Sequence, residues 1–408
     1  MMTETRILTT NIHFLSLFVI KNQLFIKVYL FLKVLVMFSN FTFMRILLLS
    51  NTNSEHTEKW ALGLAAKGVE VGLFSFNKAS YPWHQGKKNI SLLFEPAEKM
   101  NAESISGKLG YLKFVDALKK TISEFKPDVV HAHYATSYGL IGALTGFHPY
   151  VVSAWGTDVM KFPQKNFINK AVLKYNLRKA DVICATSHTI SEFLKPVTNK
   201  LVEIIPFGVD VNEFRKKEVK NLFDKDVFVI GSIKPLEALY NTDVLIMAFG
   251  KLKLKYPERK IKLVIIGEGT QTEALKALTR KLKIESDVTF TGRIPYSEVS
   301  NYFNMLDVLV NISVYESFGV SVIEAMACEK SVVATNTGGL KEIIENSTFG
   351  SLVEVGNVEQ TASEIERYLL DETLKQKIGK AAREKVVQKY NWEDNIKQMI
   401  DVYQKLLN

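Results

Sequence analysis

Apolar and polar positions alternate along this chain in two long, similar series. From Met44 onward, short apolar runs such as RILLLS, VEVGLFSF, DVVHAH, YVVSAW, DVICATS and LVEIIPFG alternate with amphipathic stretches such as HTEKWALGLAAKG and YLKFVDALKKTISEF. Apolar runs of this length read as buried strands, and the 3.6-period stretches between them read as helices. Gly68 closes the first helix and Lys126-Pro127 ends a later one. The region with Pro82, Pro96 and many lysines shows a weaker pattern. The series restarts after a polar, aperiodic segment at 210–226. VFVIGS, KLVIIGEG, DVTFTGR, VLVNIS, SVVAT and GSLVEV are its strands, and WEDNIKQMIDVYQKLLN is a last helix. Strand–helix alternation predicts mostly parallel sheets with helices on both faces. The predicted architecture is α/β, with two doubly wound Rossmann-like domains facing a cleft. The strand-end loops of both would line that cleft.

These boundaries give an N-terminal domain over 44–209, a linker over 210–226, a C-terminal domain over 227–389 and a closing helix over 390–408. Residues 1–43 break the pattern. They are rich in Phe, Leu, Ile and Val, but Lys21, Lys27 and Lys33 interrupt every window of the roughly 18 or more apolar residues that a membrane span needs. No small-residue cleavage site follows. The expectation is an upstream extension with Met44 as the functional start; a membrane anchor is the alternative.

Length sets the domain count, because 408 residues exceed one ordinary core. With 47% hydrophobic and 23% charged residues, the composition is that of a folded globular chain. A net charge of +9 favours anionic partners: phosphorylated ligands, an anionic membrane surface or nucleic acid. The basic stretches lack interleaved aromatics, which argues against nucleic acid. Cys184 and Cys328 each sit in an apolar run and read as buried thiols in a reducing cytosol.

The candidate chemistry centres on VLVNISVYESFGVSVIEAMAC. It reads strand, loop, helix, with Ser317 as N-cap and a helix from about Phe318 to Cys328. The free amides of Gly319 and Val320 would then make an anion seat. Glu316 precedes that seat and Glu324 lies about two turns in. Carboxylates accept hydrogen bonds from sugar hydroxyls, so the two acids suit a sugar and a ribose on either side of a diphosphate. By spacing alone, a surface glutamate and a helix-favouring one would be the better reading.

The longer stretch YESFGVSVIEAMACEKSVVATNTGGLKEII resembles the signature of retaining GT-B glycosyltransferases of family 4, the glycosyltransferases group 1. Its Glu-x7-Glu pair is Glu316 and Glu324. Thr337-Gly338-Gly339 also matches. The resemblance implies that Glu316 contacts the transferred sugar, Glu324 the ribose, and the backbone of Ser317, Phe318, Gly319 and Val320 the phosphate. It further implies that the turn at Gly267 and Gly269 and the backbone at Arg293 and Ile294 flank the nucleotide. His133, the second histidine of His131-Ala-His133, would contact the donor sugar, and the last helix would cross back to the N-terminal domain. Trp155 and Asp158 lie in a segment similar to one near donor and acceptor, though Asp158 equally fits a turn cap. His56 and Thr57 stand where acceptor or phosphate contacts are expected. Lys234 is a diphosphate cation, but the usual second one is replaced at Leu239 and Asn241. Asp224-Lys225-Asp226 mimics a metal motif inside the linker and reads as a solvated charge cluster. No metal or other cofactor is expected.

The implied activity is transfer of a hexose or N-acetylhexosamine from a nucleotide-diphosphate sugar to a glycan or lipid-linked acceptor. The context implied is bacterial surface-polysaccharide synthesis, in the cytoplasm or at the inner membrane face. A non-catalytic sugar-nucleotide-binding protein and a donor epimerase or hydrolase of the same fold are the competing readings.

Overall fold

The computed structural model describes residues 44–97 and 110–408. The expectation for residues 1–43 lies outside them. Among the described residues, thirteen strands form two parallel sheets. The first holds β1 (Arg45–Leu49), β2 (Glu70–Phe74), β3 (Ile90–Phe94), β4 (Val129–His133), β5 (Tyr150–Ala154), β6 (Val182–Ala185) and β7 (Val202–Ile204), in the order β3-β2-β1-β4-β5-β6-β7. The second holds β8 (Phe228–Ile233), β9 (Ile261–Ile266), β10 (Val288–Gly292), β11 (Val308–Asn311), β12 (Ser331–Thr335) and β13 (Ser351–Val353), in the order β10-β9-β8-β11-β12-β13. The order reverses between β1 and β4 and between β8 and β11. Ligands of open α/β sheets bind beyond strand ends at such reversals.

β3 lies in the region whose sequence pattern is weak. It is an edge strand with only alternate residues covered, so half its side chains are polar or exposed. The 210–226 segment is strapped to the second sheet's layer. Phe214 is buried there, Ser300 Oγ donates to the Glu213 carbonyl, and Arg383 reaches the Phe214 carbonyl.

The last helix, Trp392–Leu407, packs on the first sheet. Trp392, Ile396, Met399 and Tyr403 share a core with Ile46, Leu48 and Trp60. Its N-cap, Asn391, accepts from the Glu393 amide. The preceding helix, Glu372–Lys389, stays with the second sheet through Ala382 and Val386. The chain therefore changes sides at Tyr390-Asn391, where Val209 and Asn391 form a β-bridge.

Candidate active site

Each cleft residue follows from where a strand ends. β4 ends on His133, β5 runs into Trp155, β8 into Lys234, β9 into Gly267, β10 into Arg293, and the loop after β11 carries Glu316. Parallel strands bring all these ends to one side of their sheet.

The loop carrying Glu316 is fixed by its neighbours. The Val314 amide donates to the Leu239 carbonyl at 2.8 Å, and the Gly339 amide to the Glu316 carbonyl at 2.9 Å. Gly338 has φ +50°, and a Cβ there would overlap the Glu316 carbonyl oxygen; a Cβ on Gly339 would meet the Phe318 backbone. The Thr337-Gly-Gly sequence is thus a steric requirement of this loop.

Helix Val320–Ala327 starts two residues later than the sequence suggests. Its N-cap is Gly319, at φ +118°, and not Ser317. Ser317 is occupied elsewhere: its carbonyl accepts from Ser187 Oγ of the first half at 2.9 Å. Among the described residues the backbone amides of Gly319 and Val320 donate to no carbonyl, which leaves the seat available. Phe318 contributes backbone only, since its ring is buried between Phe207 and Tyr390.

Glu316 forms an ion pair with Lys234, and both side chains are mostly covered. Lys234 also lies over the Tyr240 ring, 5.3 Å from its centroid. The lysine's loop is laced to the glycine turn: the Lys234 amide donates to the Ile266 carbonyl and the Leu236 amide to that of Glu268, both at 3.0 Å. Gly267, at φ +136°, admits no Cβ against the Lys234 carbonyl.

Glu324 is buried on the side of the Val320–Ala327 helix and accepts from Tyr296 Oη at 2.9 Å. Burial pushes its carboxyl up to about 7, opposed by the charge of Lys59 and by the Tyr296 hydrogen bond. Sequence reasoning found neither partner. Lys59 comes from helix Glu55–Ala66 of the other half, donates to the Gly208 carbonyl at 2.6 Å and lies over the Trp392 ring at 4.6 Å. Burial lowers its own pKa, and Glu324 and Asp210 resist that shift.

The N-terminal candidates divide. His133 is buried, 3.2 Å from Ser50 Oγ through Nδ1, with its ring 4.7 Å from that of Trp155. Burial holds it well below the ordinary histidine range, so it is neutral. His131, on the same side of β4, is a core residue: Nδ1 meets Tyr403 Oη at 2.6 Å and Nε2 meets Ser153 Oγ at 2.8 Å. Thr57 is fully buried and reaches His133 only through Ser50, its Oγ1 lying 2.6 Å from Ser50 Oγ. His56 is stacked on Phe207 at 4.1 Å and edge-on to Trp155, and burial, then Lys59, lowers it to about 4. Asp158 is buried and accepts from the amides of Ala135, Trp155 and Gly156, which is the turn-cap alternative. Arg293 is exposed and reaches Glu55 across the cleft at 4.0 Å; Ile294 is half-buried.

Two facing parallel-sheet domains, a returning C-terminal helix and strand-end loops with a paired glutamate and lysine define a GT-B glycosyltransferase. The family described as Glycosyl transferases group 1 matches residues 213–385, and Glycosyl transferase 4-like matches residues 45–187. The chain belongs to the group 1 glycosyltransferases. It is 27% identical over 295 residues to the N-acetyl-alpha-D-glucosaminyl L-malate synthase of Bacillus anthracis, covering 69% of this chain and 75% of that one. It is 29% identical over 266 residues to the N-acetylgalactosamine-N,N'-diacetylbacillosaminyl-diphospho-undecaprenol 4-alpha-N-acetylgalactosaminyltransferase of Campylobacter jejuni, covering 63% and 69%. Among solved structures, the fold matches Anabaena Alr3699/HepE in complex with UDP and glucose. There the TM-score is 0.72 and the identity 19%, over 89% of this chain and all of that one.

Proposed function

We propose that this enzyme is a retaining hexosyl- or N-acetylhexosaminyl-transferase that uses a nucleotide-diphosphate sugar. Its acceptor is a glycan or lipid-linked sugar in bacterial surface-polysaccharide synthesis, met in the cytoplasm or at the inner membrane face. The observation that carries the reading is the Lys234–Glu316 pair beside the free amides that open helix Val320–Ala327. A diphosphate takes over the lysine and the amides, and the released carboxylate of Glu316 accepts from hydroxyls of the transferred sugar. Glu324 is the ribose acceptor, as its pairing with a phenol supports.

The chemistry follows from these roles. The departing diphosphate oxygen, held by Lys234 and helix amides, takes the acceptor's proton on the face where the new bond forms. Neutral His133 supports the sugar by hydrogen bonding and not by charge. The positive partners of the diphosphate are protein groups, so turnover is metal-independent in this reading. Of the relatives, the Campylobacter jejuni enzyme acts on a diphospho-undecaprenol sugar by its name, which supports a lipid-linked acceptor here. Among the described residues no helix is long and apolar enough to cross a membrane.

The test is a panel of UDP-, GDP- and ADP-sugars, scored by melting temperature with Glu324→Ala alongside. A donor at about 100 times its Kd should add roughly 2.7 kcal/mol to the wild type. Product anomers read by NMR then test retention, and turnover in EDTA tests metal independence. Stabilisation without turnover of donor in the presence of a lipid-linked acceptor pool would favour the binding-only alternative; release of free or epimerised sugar would favour the third.

A further inference from the structure

Between Val159 and Ala180 the chain has no acidic residue and six basic ones: Lys161, Lys165, Lys170, Lys174, Arg178 and Lys179. The flanking acids are engaged elsewhere, Asp181 with His148 and Glu192 with Lys195. Lysines of the C-terminal half behave differently: Lys251, Lys255, Lys260 and Lys262 each meet a carboxylate. Among the described residues these six cations meet no carboxylate; Arg178 and Lys179 lie over the Tyr175 ring. A cluster of like charges repels itself, and an external anion relieves that repulsion.

The same segment exposes two bulky apolar side chains. Helix Phe167–Lys179 begins with Phe167 at 82% and Ile168 at 58% exposure. Asn166 caps it, accepting from the Asn169 amide at 2.9 Å, so the tip is firmly folded. Spacings of three, seven and eleven residues put Phe167, Lys170, Lys174 and Arg178 on one helix face. Leu173, Asn176 and Leu177 are buried on the other. The helix connects the end of β5 to the start of parallel β6, so its Phe167 end lies at the cleft side of the sheet.

We propose that this face docks the enzyme on an anionic lipid bilayer, with Phe167 and Ile168 entering the acyl boundary and the basic side chains meeting headgroup phosphates. The pairing of apolar tip and basic face selects a bilayer over a polyanion in water, which would leave the tip exposed. The inference deepens the lipid-linked acceptor reading and rests on it for orientation: docking here sets the mouth of the cleft against the membrane.

The test uses the full chain with Ile168→Cys carrying an environment-sensitive fluorophore; both native cysteines are buried. A probe on this loop reports the loop itself. Vesicles of equal parts phosphatidylglycerol and phosphatidylcholine should shift its emission to the blue, phosphatidylcholine alone should not, and salt should reverse the shift. Lys165→Glu/Lys170→Glu should weaken the partition by about tenfold or more. No shift with the anionic vesicles overturns the proposal, as does an equal shift with lipid-free polyuridylate RNA. The same double variant should keep its thermal stabilisation by nucleotide-sugar. An absent vesicle shift in the wild-type background with that stabilisation intact therefore refutes docking alone, whereas absent stabilisation in the wild type counts against the transferase reading.

Discussion

Replacing Glu324 by Gln should change stability and donor affinity in opposite directions, each with its own pH dependence. The carboxyl rises from 4.5 to about 7 in the folded protein, mainly through burial. A group that binds its proton more tightly when folded contributes stability that is fully present below the unfolded value, 4.5, and lost as pH rises through about 7. The 2.5-unit difference corresponds to about 3 kcal/mol. Glu324→Gln keeps the shape and the Tyr296 hydrogen bond but removes the charge. Its melting temperature should exceed that of the wild type at about pH 8 and converge with it near pH 5. Donor binding runs the other way, because ribose hydroxyls favour the carboxylate. Wild-type affinity for an intact nucleotide-sugar should rise on the order of 30-fold from pH 5.5 to pH 8, following the ionised fraction. The glutamine variant should bind weakly and without this slope. His56, His131 and His133 are all held neutral by burial, so they add nothing in this window. Titration calorimetry at four pH values measures the slope directly. A flat wild-type profile, or an equal slope in the variant, would refute the role given to Glu324.

Other substitutions separate chemistry from support. Lys234→Met should lower turnover on the order of a hundredfold or more by removing the leaving-group cation, measured by nucleotide release. Gly338→Ala should destabilise by about 2 kcal/mol or more in urea and abolish donor binding, because φ +50° is strained for Ala and its Cβ overlaps the Glu316 carbonyl. Tyr403→Phe leaves His131 Nδ1 without its partner in the core and should cost about 1–3 kcal/mol, read as a lowered urea midpoint. Glu342 accepts from the amides of His188 and Thr189 across the two halves; Glu342→Gln should weaken that contact by about 1 kcal/mol and enlarge the radius of gyration in solution scattering.

The strand ends were the most legible part of the sequence. Apolar runs of four to six residues mark them locally, and parallel topology then sends His133, Lys234, Gly267 and Glu316 to one side of their sheets. What escaped depends on contacts distant in sequence. His131 and His133 look equivalent by alternation, yet the Tyr403 hydroxyl that makes His131 structural comes from 272 residues away. Lys59 nears Glu324 only because the two halves face each other, and Tyr296 reaches it from a neighbouring helix of the same half. Ser317 has the chemistry of a cap, but its carbonyl is used by Ser187, and the helix starts where Gly319 can turn. β3 was obscured because an edge strand needs only one covered face.

The ion pair between Lys234 and Glu316 bears on how one cation would serve where the resemblance implies two. With Leu239 in the place of the second cation, an unpaired Lys234 and a separate Glu316 would bring one positive and one negative group to a dianionic diphosphate. Instead the carboxylate already occupies the lysine, so in the proposed mechanism donor entry exchanges one anionic partner of Lys234 for another and frees Glu316 for the sugar. In that mechanism the remaining charge falls to helix amides and to Lys59 near Glu324. Lys59 belongs to the first half, and three contacts hold that half against the Glu316 loop. Ser187 donates to Ser317, Glu342 accepts from the amides of His188 and Thr189, and Gly156 leaves no room for a Cβ beside Ser317. Separating the halves would withdraw Lys59 and loosen that loop together. On the proposed roles of Lys234, Lys59 and the helix amides, electrostatic completion of the donor site and closure of the cleft would be one event, where a second lysine at position 239 would make the donor site less dependent on closure.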